Sequence, residues 1–228
     1  MDYIVDGFVK AIFLLIHLDP ATFSAISATL KVSTAAMAVS LIAGLPLGFA
    51  LGYFNFYGKR HIKTLVDTLL ALPTVSVGLI VYALISSQGP LGELNLLFTL
   101  TGIAMGQTIL ALPIVIAITA ATVENIDPDL KLTLVSLGAG KRHILFTCLW
   151  EVRYGILAGV VTAYGRVLTE VGIAMMVGGN IKYHTRTITT AIALETSKGM
   201  FADGMALGLV LIAIALCVNI CLSFLRKQ

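Results

Sequence analysis

Charge is what this sequence has least of. Lys, Arg, Asp and Glu make up 12% of its 228 residues, against 58% hydrophobic. Water-soluble domains carry about 25% charged and 45–50% apolar residues, so an ordinary soluble fold is excluded. Cysteine is sparse and odd in number, at Cys148, Cys217 and Cys221. That count and scatter rule against a disulfide framework. The four histidines show no metal-ligand spacing, so no metal site is expected. No Gly-x-x-x-x-Gly-Lys-Ser/Thr loop is present, which excludes ATP hydrolysis by that route. A net charge of +3 gives no footprint for nucleic acid. No internal repeat is found, so the inverted repeats of secondary transporters are not supported.

Long neutral runs are what the chain does have. Val32–Gly58, Thr68–Gly92, Leu94–Val123 and Gly204–Leu225 contain no charged residue. A helix needs roughly 20 apolar residues to cross the hydrocarbon core, and backbone in lipid must satisfy its own hydrogen bonds as helix. A fifth stretch, Tyr154–Ile181, is nearly as apolar but carries Arg166 and Glu170. About five spans are therefore predicted, in an all-α membrane protein with residues 1–228 as one domain. Tyr3–Leu18 is short of a span and interrupted by Asp6, Lys10 and His17, so it reads as a short flanking or interfacial helix. With Asp2 and Asp6 and no basic region before a small-residue cleavage site, no cleaved signal peptide is expected.

Basic residues mark the cytoplasmic side. The first connection holds Lys59, Arg60, His61 and Lys63, and the third holds Lys131, Lys141, Arg142 and Arg153, whereas the second holds Glu93 alone. The fourth, Lys182–Lys198, breaks the alternation. The pattern as a whole puts the N-terminus outside and the C-terminus in the cytoplasm. Pro46, Pro73 and Pro113 fall inside the first three spans, where each removes a helix hydrogen bond and is expected to kink the helix or serve packing.

The third connection, about 124–153, is too long for a simple turn. Asp127 followed by Pro128 starts a helix, as cap and first-turn residue. An amphipathic run reaches Leu137, Gly138-Ala139-Gly140 breaks it, and a second helical run covers Ile144–Glu151. Two readings stand: surface helices around a glycine hinge, or a docking element for a cytoplasmic partner. Here the chain resembles the permeases of ATP-binding-cassette importers, which carry an E-A-A-x-x-x-G loop at this place in the topology. The match runs over Leu132–Ala139; Gly138 and Ala139 agree, and Leu132-Thr133-Leu134 replaces Glu-Ala-Ala. The resemblance implies that Leu137, Gly138, Ala139, Lys141 and Arg142 couple to an ATPase subunit.

Arg166 and Glu170 stand four apart, a spacing that puts them on one helix face. Charges within a span are costly and face protein or a watery path. One reading is an ion pair that fixes packing; the other is an arginine offered to a passing anion. Gly172, Gly178 and Gly179 suit close helix packing or a gate. The outer loop brings Asn180, Lys182, His184, Thr185, Arg186 and Thr187, either as donors for an oxyanion or as an ordinary solvated loop. This stretch, with Leu72-Pro73-Thr74-Val75-Ser76, Gln107–Pro113 and Leu149–Ile156, is similar to the permeases of molybdate and tungstate importers, most of all the tungstate branch. The similarity runs from about Thr29 to Phe224. It implies a multi-pass protein of the cell inner membrane that carries an oxyanion. The implied partners are a second copy of the chain, two ATP-binding subunits that hold the ATP and magnesium, and an extracytoplasmic oxyanion-binding protein. No cofactor is expected in this chain. Thr74, Ser76, Arg166, Glu170, Gly172, Met175, Met176, Gly178, Gly179, Asn180, Thr185 and Thr187 are the expected pathway and gate residues. A sulfate permease of the same class, a self-contained secondary transporter or channel, and an intramembrane enzyme are the rivals. The enzyme is disfavoured because the spans hold no Ser–His or Asp–Asp pair.

Overall fold

The computed structural model describes residues 2–226; the side chains at 2, 3, 128, 131, 141 and 222–226 fall outside the described set. Eleven α-helices follow in order: α1 (Asp2–Ile16), α2 (Pro20–Tyr53), α3 (Lys59–Leu70), α4 (Thr74–Ile85), α5 (Leu100–Glu124), α6 (Pro128–Ser136), α7 (Lys141–Glu151), α8 (Arg153–Leu168), α9 (Gly172–Gly178), α10 (Ile188–Ser197) and α11 (Phe201–Arg226). Among the described residues there is no strand. Among the described residues three helices, α2, α5 and α11, are long and apolar enough to cross a membrane. Two bent pairs, α3–α4 at 97° and α7–α8 at 58°, bring the number to five if each is one span. Ile42 and Ile212 lie exposed in mid-helix, as lipid-facing side chains do.

Helix α2 begins twelve residues before the neutral run that predicts it. The reason is local: Asp19 accepts hydrogen bonds from the backbone N–H and the hydroxyl of Thr22 at 2.8 and 2.7 Å, and Pro20 occupies the first turn. Pro46 and Pro113 are inside α2 and α5 as expected. Pro73 is not inside a helix. It caps α4 at the 97° bend, where its missing N–H costs nothing.

Helix α5 is the centre of the packing, and glycine is how its neighbours reach it. Gly44, Gly48 and Gly52 recur every fourth residue and make one face of α2. A Cβ on Gly48 would lie 2.7 Å from the carbonyl oxygen of Ile116, and one on Gly52 2.6 Å from that of Ala120. The partner numbers rise together, so α2 and α5 run parallel. On the other side Gly155 faces Thr122 and Gly159 faces Ile118, so α8 runs antiparallel to α5. Such small-residue stripes let backbones meet where no hydrophobic drive exists between helices in lipid.

The two ends of the bundle differ. At one, Glu124 pairs with Lys59 at 2.9 Å and Lys63 at 2.6 Å, tying the end of α5 to the start of α3. At the other, Asp19, Lys182, Arg186 and Asp203 line one cleft. Helix α1 packs along α11, with Gly7 against Met205 and Lys10 paired to Asp203. At about 22 Å it is too short to span, as its sequence implies.

Candidate translocation face and coupling loop

The fourth predicted span is broken in its middle. Helix α8 stops at Leu168 and α9 starts at Gly172. Arg166 and Glu170 therefore do not share a helix, which corrects the reading of their spacing. They still approach, guanidinium to carboxylate at 3.6 Å, but in unlike surroundings: the Arg166 side chain is 49% exposed and that of Glu170 is 2% exposed. The other Glu170 oxygen accepts from the Ile173 backbone N–H at 3.2 Å, holding the first turn of α9. Thr169 turns its hydroxyl back to the carbonyl of Gly165, and Gln107 donates to that of Val167 at 3.3 Å. Glu170 thus gives a partner to an N–H that the break would otherwise orphan, while the carbonyls of Gly165 and Val167 also accept the backbone N–H groups of Thr169 and Glu170.

Glycine seats α9 in its niche. The Cα of Ile173 comes within 3.2 Å of a Cβ built on Gly78 of α4, and the side chain of Ile173 fills the space that a Cβ on Gly106 of α5 would need. Gly178 meets Ile103, and Gly179, at φ +67°, meets the ring of Phe98. Ile173, Ala174 and Val177 form a core with Val77, Val81, Ile85 and Ile103. The opposite side is open. Val75 and Leu79 of α4, Val171, Met175 of α9 and Arg166 are exposed. Ser76 is also exposed, while Thr74 and Met176 are half-buried. The Thr74 hydroxyl and the Glu170 carboxylate flank Gly172, 3.1 and 3.2 Å from a Cβ built there. The structure thus gathers Thr74, Arg166, Glu170 and Gly172 at one place, with Met175 and Ser76 on the exposed side of their short helices.

The outer-loop residues behave differently. Thr185 and Thr187 are buried. Thr185 donates to the carbonyl of Gly178 and accepts from the Ile181 N–H. Thr187 caps α10 through a reciprocal box with Thr190, and Thr189 bonds the carbonyl of Glu170 at 2.8 Å. The Ile188 N–H donates to Thr29 of α2 at 2.9 Å. Asn180 accepts from Arg186 at 3.0 Å. These groups brace α10 against the break; of the charged loop side chains, Lys182 and His184 are exposed.

At the basic end the connection folds as two helices. Asp127 caps α6, accepting from Asp129 N–H at 2.9 Å, and Pro128 sits in the first turn. Gly138, at φ +76°, ends it. Its N–H reaches the carbonyl of Val135 and that of Ala139 reaches Leu134, both at 3.0 Å, a Schellman closure. Leu137 is 78% exposed, and Leu132, Val135, Phe146 and Trp150 also face outward. Arg142 is exposed; the side chain of Lys141 lies outside the described residues. The rest of the chain leaves these apolar side chains uncovered.

The sequence matches the family model described as the binding-protein-dependent transport system inner membrane component over residues 44–228. The chain belongs to that family. It is 52% identical over 227 residues to the tungstate uptake system permease protein TupB of Campylobacter jejuni, covering 100% of this chain and 95% of that one. It is 36% identical over 228 residues to the TupB of Peptoclostridium acidaminophilum, covering 100% of both. The molybdenum permease ModB of Haemophilus influenzae matches at 30% over 177 residues, 74% of this chain and 77% of that one. Among solved structures the inward-facing MetNI methionine transporter superposes with a TM-score of 0.74 at 14% identity, covering 91% of this chain and 95% of that one. That likeness is one of fold. As a member of the family, the chain is a multi-pass permease component of the inner membrane.

Proposed function

We propose that two copies of this chain form the pathway of a tungstate importer. The observation that carries the anion is the full-length likeness to permeases named for tungstate, ahead of the one named for molybdenum. The basic end, with Lys59, Arg60, Lys63, Arg142 and Arg153, is the cytoplasmic face. There α6 and α7 dock two ATP-binding subunits, which hold the ATP and magnesium, through Leu137, Gly138, Ala139, Lys141 and Arg142. A binding protein delivers the oxyanion at the opposite end. The permease itself performs no chemistry, and residues 1–228 act as one domain.

The exposed side of α4, α9 and the α8–α9 break is the pathway wall. Arg166 offers a guanidinium there, suited to an oxyanion. Glu170 neutralises it in part, so the anion is passed along rather than held. Thr74, Ser76 and Met175 complete the wall, while Gly172, Met176, Gly178 and Gly179 seat the short gate helix. Asn180, Thr185 and Thr187 hold its outer end in place.

The test is to reconstitute the chain with its ATP-binding subunits in liposomes. ATPase activity and uptake are then followed as binding protein loaded with tungstate, molybdate or sulfate is added. Tungstate should stimulate most. Equal stimulation by sulfate, or uptake without ATP, would overturn the assignment.

A further inference from the structure

Helix α3 is thinly held. Of its described residues only Val66 is buried, against Leu51 of α2 and Ala120 of α5. Ile62, Leu65 and Leu70 are exposed. What pins its first turns is charge. The Lys59 ammonium reaches one Glu124 oxygen at 2.9 Å, and the Lys63 ammonium reaches the other at 2.6 Å. Lys59 also donates to the carbonyl of Gly52 at 3.2 Å, in the last turn of α2. A helix leaves carbonyls without partners there and favours a cation. One carboxylate and two lysines thus join the ends of α2 and α5 to the start of α3.

Glu124 also stands next to the coupling loop. Only Asn125 and Ile126 separate it from Asp127, the cap of α6. Backbone bonds carry the end of α5 through both residues, from the Asn125 N–H to Ala121 and from the Ile126 N–H to Val123. Val123 and Ile126 then pack with Leu134 of α6 and with Ile144 and Cys148 of α7. The loop and the end of α5 are therefore one packed body, and Glu124 is where that body reaches α3. On its other side α3 leads through the 97° bend into α4, whose exposed Val75 and Leu79 stand on the pathway wall.

We infer that Glu124, gripped by Lys59 and Lys63, is the positioning residue that makes α3 and α4 follow the coupling loop, an inference that rests on reading this loop as the docking element for the ATP-binding subunits. Position and stability separate here. The side chains of Lys63 and Glu124 are 39% and 29% exposed, and ion pairs open to water contribute little to stability. A carboxylate held from two lysines four residues apart still fixes direction. Helix α3 loses one of the two contacts when it turns or slides along α5 by more than the reach of a lysine. The apolar contact at Val66 sets no such register, because burial is non-directional. The cluster therefore passes on displacement while adding little to the energy of the fold.

The experiment compares coupling with assembly. The complex with its ATP-binding subunits is placed in liposomes, and tungstate taken up per ATP hydrolysed is measured as loaded binding protein is added. Glu124→Gln should lower that ratio about threefold or more, the size of effect that a change along a coupling route produces. Thermal unfolding and binding of the ATP-binding subunits should stay near those of the wild type. Lys59→Gln together with Lys63→Gln should lower the ratio as far. Adding Glu124→Gln to that pair should lower it no further, because the three act as a unit. Glu124→Asp, which keeps the charge, should retain more of the ratio than Glu124→Gln. An unchanged ratio in Glu124→Gln would overturn the inference, and so would additive losses in the triple variant. A ratio that falls only together with weaker subunit binding or a lost thermal transition would overturn it too, as the mark of a purely structural contact. If Glu124→Gln does not accumulate, the double lysine variant carries the test; failure of both would make the cluster a folding contact and end the inference. The wild type tests the transport assignment separately. If another oxyanion drives it best, the tungstate reading falls, and the ratio is read with that anion in all variants.

Discussion

In α2 and in the coupling loop glycine does opposite work. Along α2, Gly48 and Gly52 sit where a Cβ would collide with the backbone of α5, at 2.7 and 2.6 Å. Their φ angles are ordinary for a helix, so the demand is for space. Gly138 has nothing within 4 Å of an added Cβ, but its φ is +76°. The demand there is for backbone freedom, which an L residue in the left-handed region meets only at about 1–2 kcal/mol. The first kind of glycine belongs to a packed interior that lipid compels to be tight. The second belongs to a surface loop whose apolar side chains are turned away from the chain itself. One region is built to stay as it is, and the other, on the proposed reading, to be gripped.

The contrast is broken most severely at Gly48. Gly48→Leu forces α2 off α5 against a backbone oxygen that cannot rotate away, and should cost about 3 kcal/mol or more. The variant should lose its thermal transition or fail to accumulate in the membrane, whereas Gly140→Leu, with open space around it, should do neither. Similar thermal stability for the two would mean that the α2–α5 contact is looser than described.

A second test sharpens the contrast at the broken span. Arg166→Met leaves the buried Glu170 carboxylate with the Ile173 N–H but no cation, and should cost about 2 kcal/mol, discounted because the guanidinium is half-exposed. Glu170→Gln keeps an acceptor for that N–H and leaves Arg166 free to meet water, so it should cost less. The double variant should recover most of the stability lost in Arg166→Met. If uptake recovers with it, Arg166 serves packing; if stability returns and uptake does not, Arg166 meets the anion. Thermal unfolding and uptake on all three variants decide this, and equal stability throughout would sink the pairing.

These sites also show what the sequence makes legible. The neutral runs locate α5 and α11 because exclusion of charge is a bulk property of lipid. Asp127 with Pro128, and Gly138, are readable because caps and turns depend on adjacent residues. The break at 169–171 is not, because Arg-x-x-x-Glu is also what a continuous helix shows, and no proline or glycine pair interrupts it. The burial of Thr185 and Thr187 was equally hidden. Beside them the Ile188 N–H bonds Thr29, 159 positions away, and nothing local distinguishes such a bracing loop from a solvated one rich in threonine. The α2 stripe was in view, in the fourfold spacing of Gly44, Gly48 and Gly52. Proline drew attention as the helix breaker, yet Pro46 and Pro113 lie within helices that continue past them.

At Gly138 the effect should be smaller and confined to coupling. Gly138→Val puts a β-branched residue in the left-handed region, at roughly 1–2 kcal/mol of local strain, with no collision. The permease should still insert and unfold at nearly the same temperature, but bind its ATP-binding subunits more weakly. Gly138→Asn, which tolerates positive φ, should restore binding. Binding of the ATP-binding subunits, measured by pull-down, separates the outcomes: normal binding with valine would remove this turn from the docking surface.

The smallest effect is expected where the chain enters α2. Asp19→Ala removes the cap of α2, worth about 1 kcal/mol. The Thr22 hydroxyl, and then its backbone N–H, hold the Asp19 carboxyl below its ordinary value of 3.8, against the opposing effect of burial. A carboxyl whose pKa is depressed by folding adds stability that is present above its unfolded value and lost as the pH falls through its folded value. The difference in thermal stability between wild type and Asp19→Ala should therefore be constant from neutral pH down to about pH 5 and shrink only below the ordinary value of 3.8. Asp19→Asn keeps an acceptor for Thr22 and should show a smaller loss, which closes over the same acid range because the titrating group is the wild-type carboxyl. Were the gap between wild type and Asp19→Ala to close already near pH 6, some other group would be titrating. Were it absent at every pH, the cap would contribute nothing, and the early start of α2 would rest on Pro20 and its packing alone.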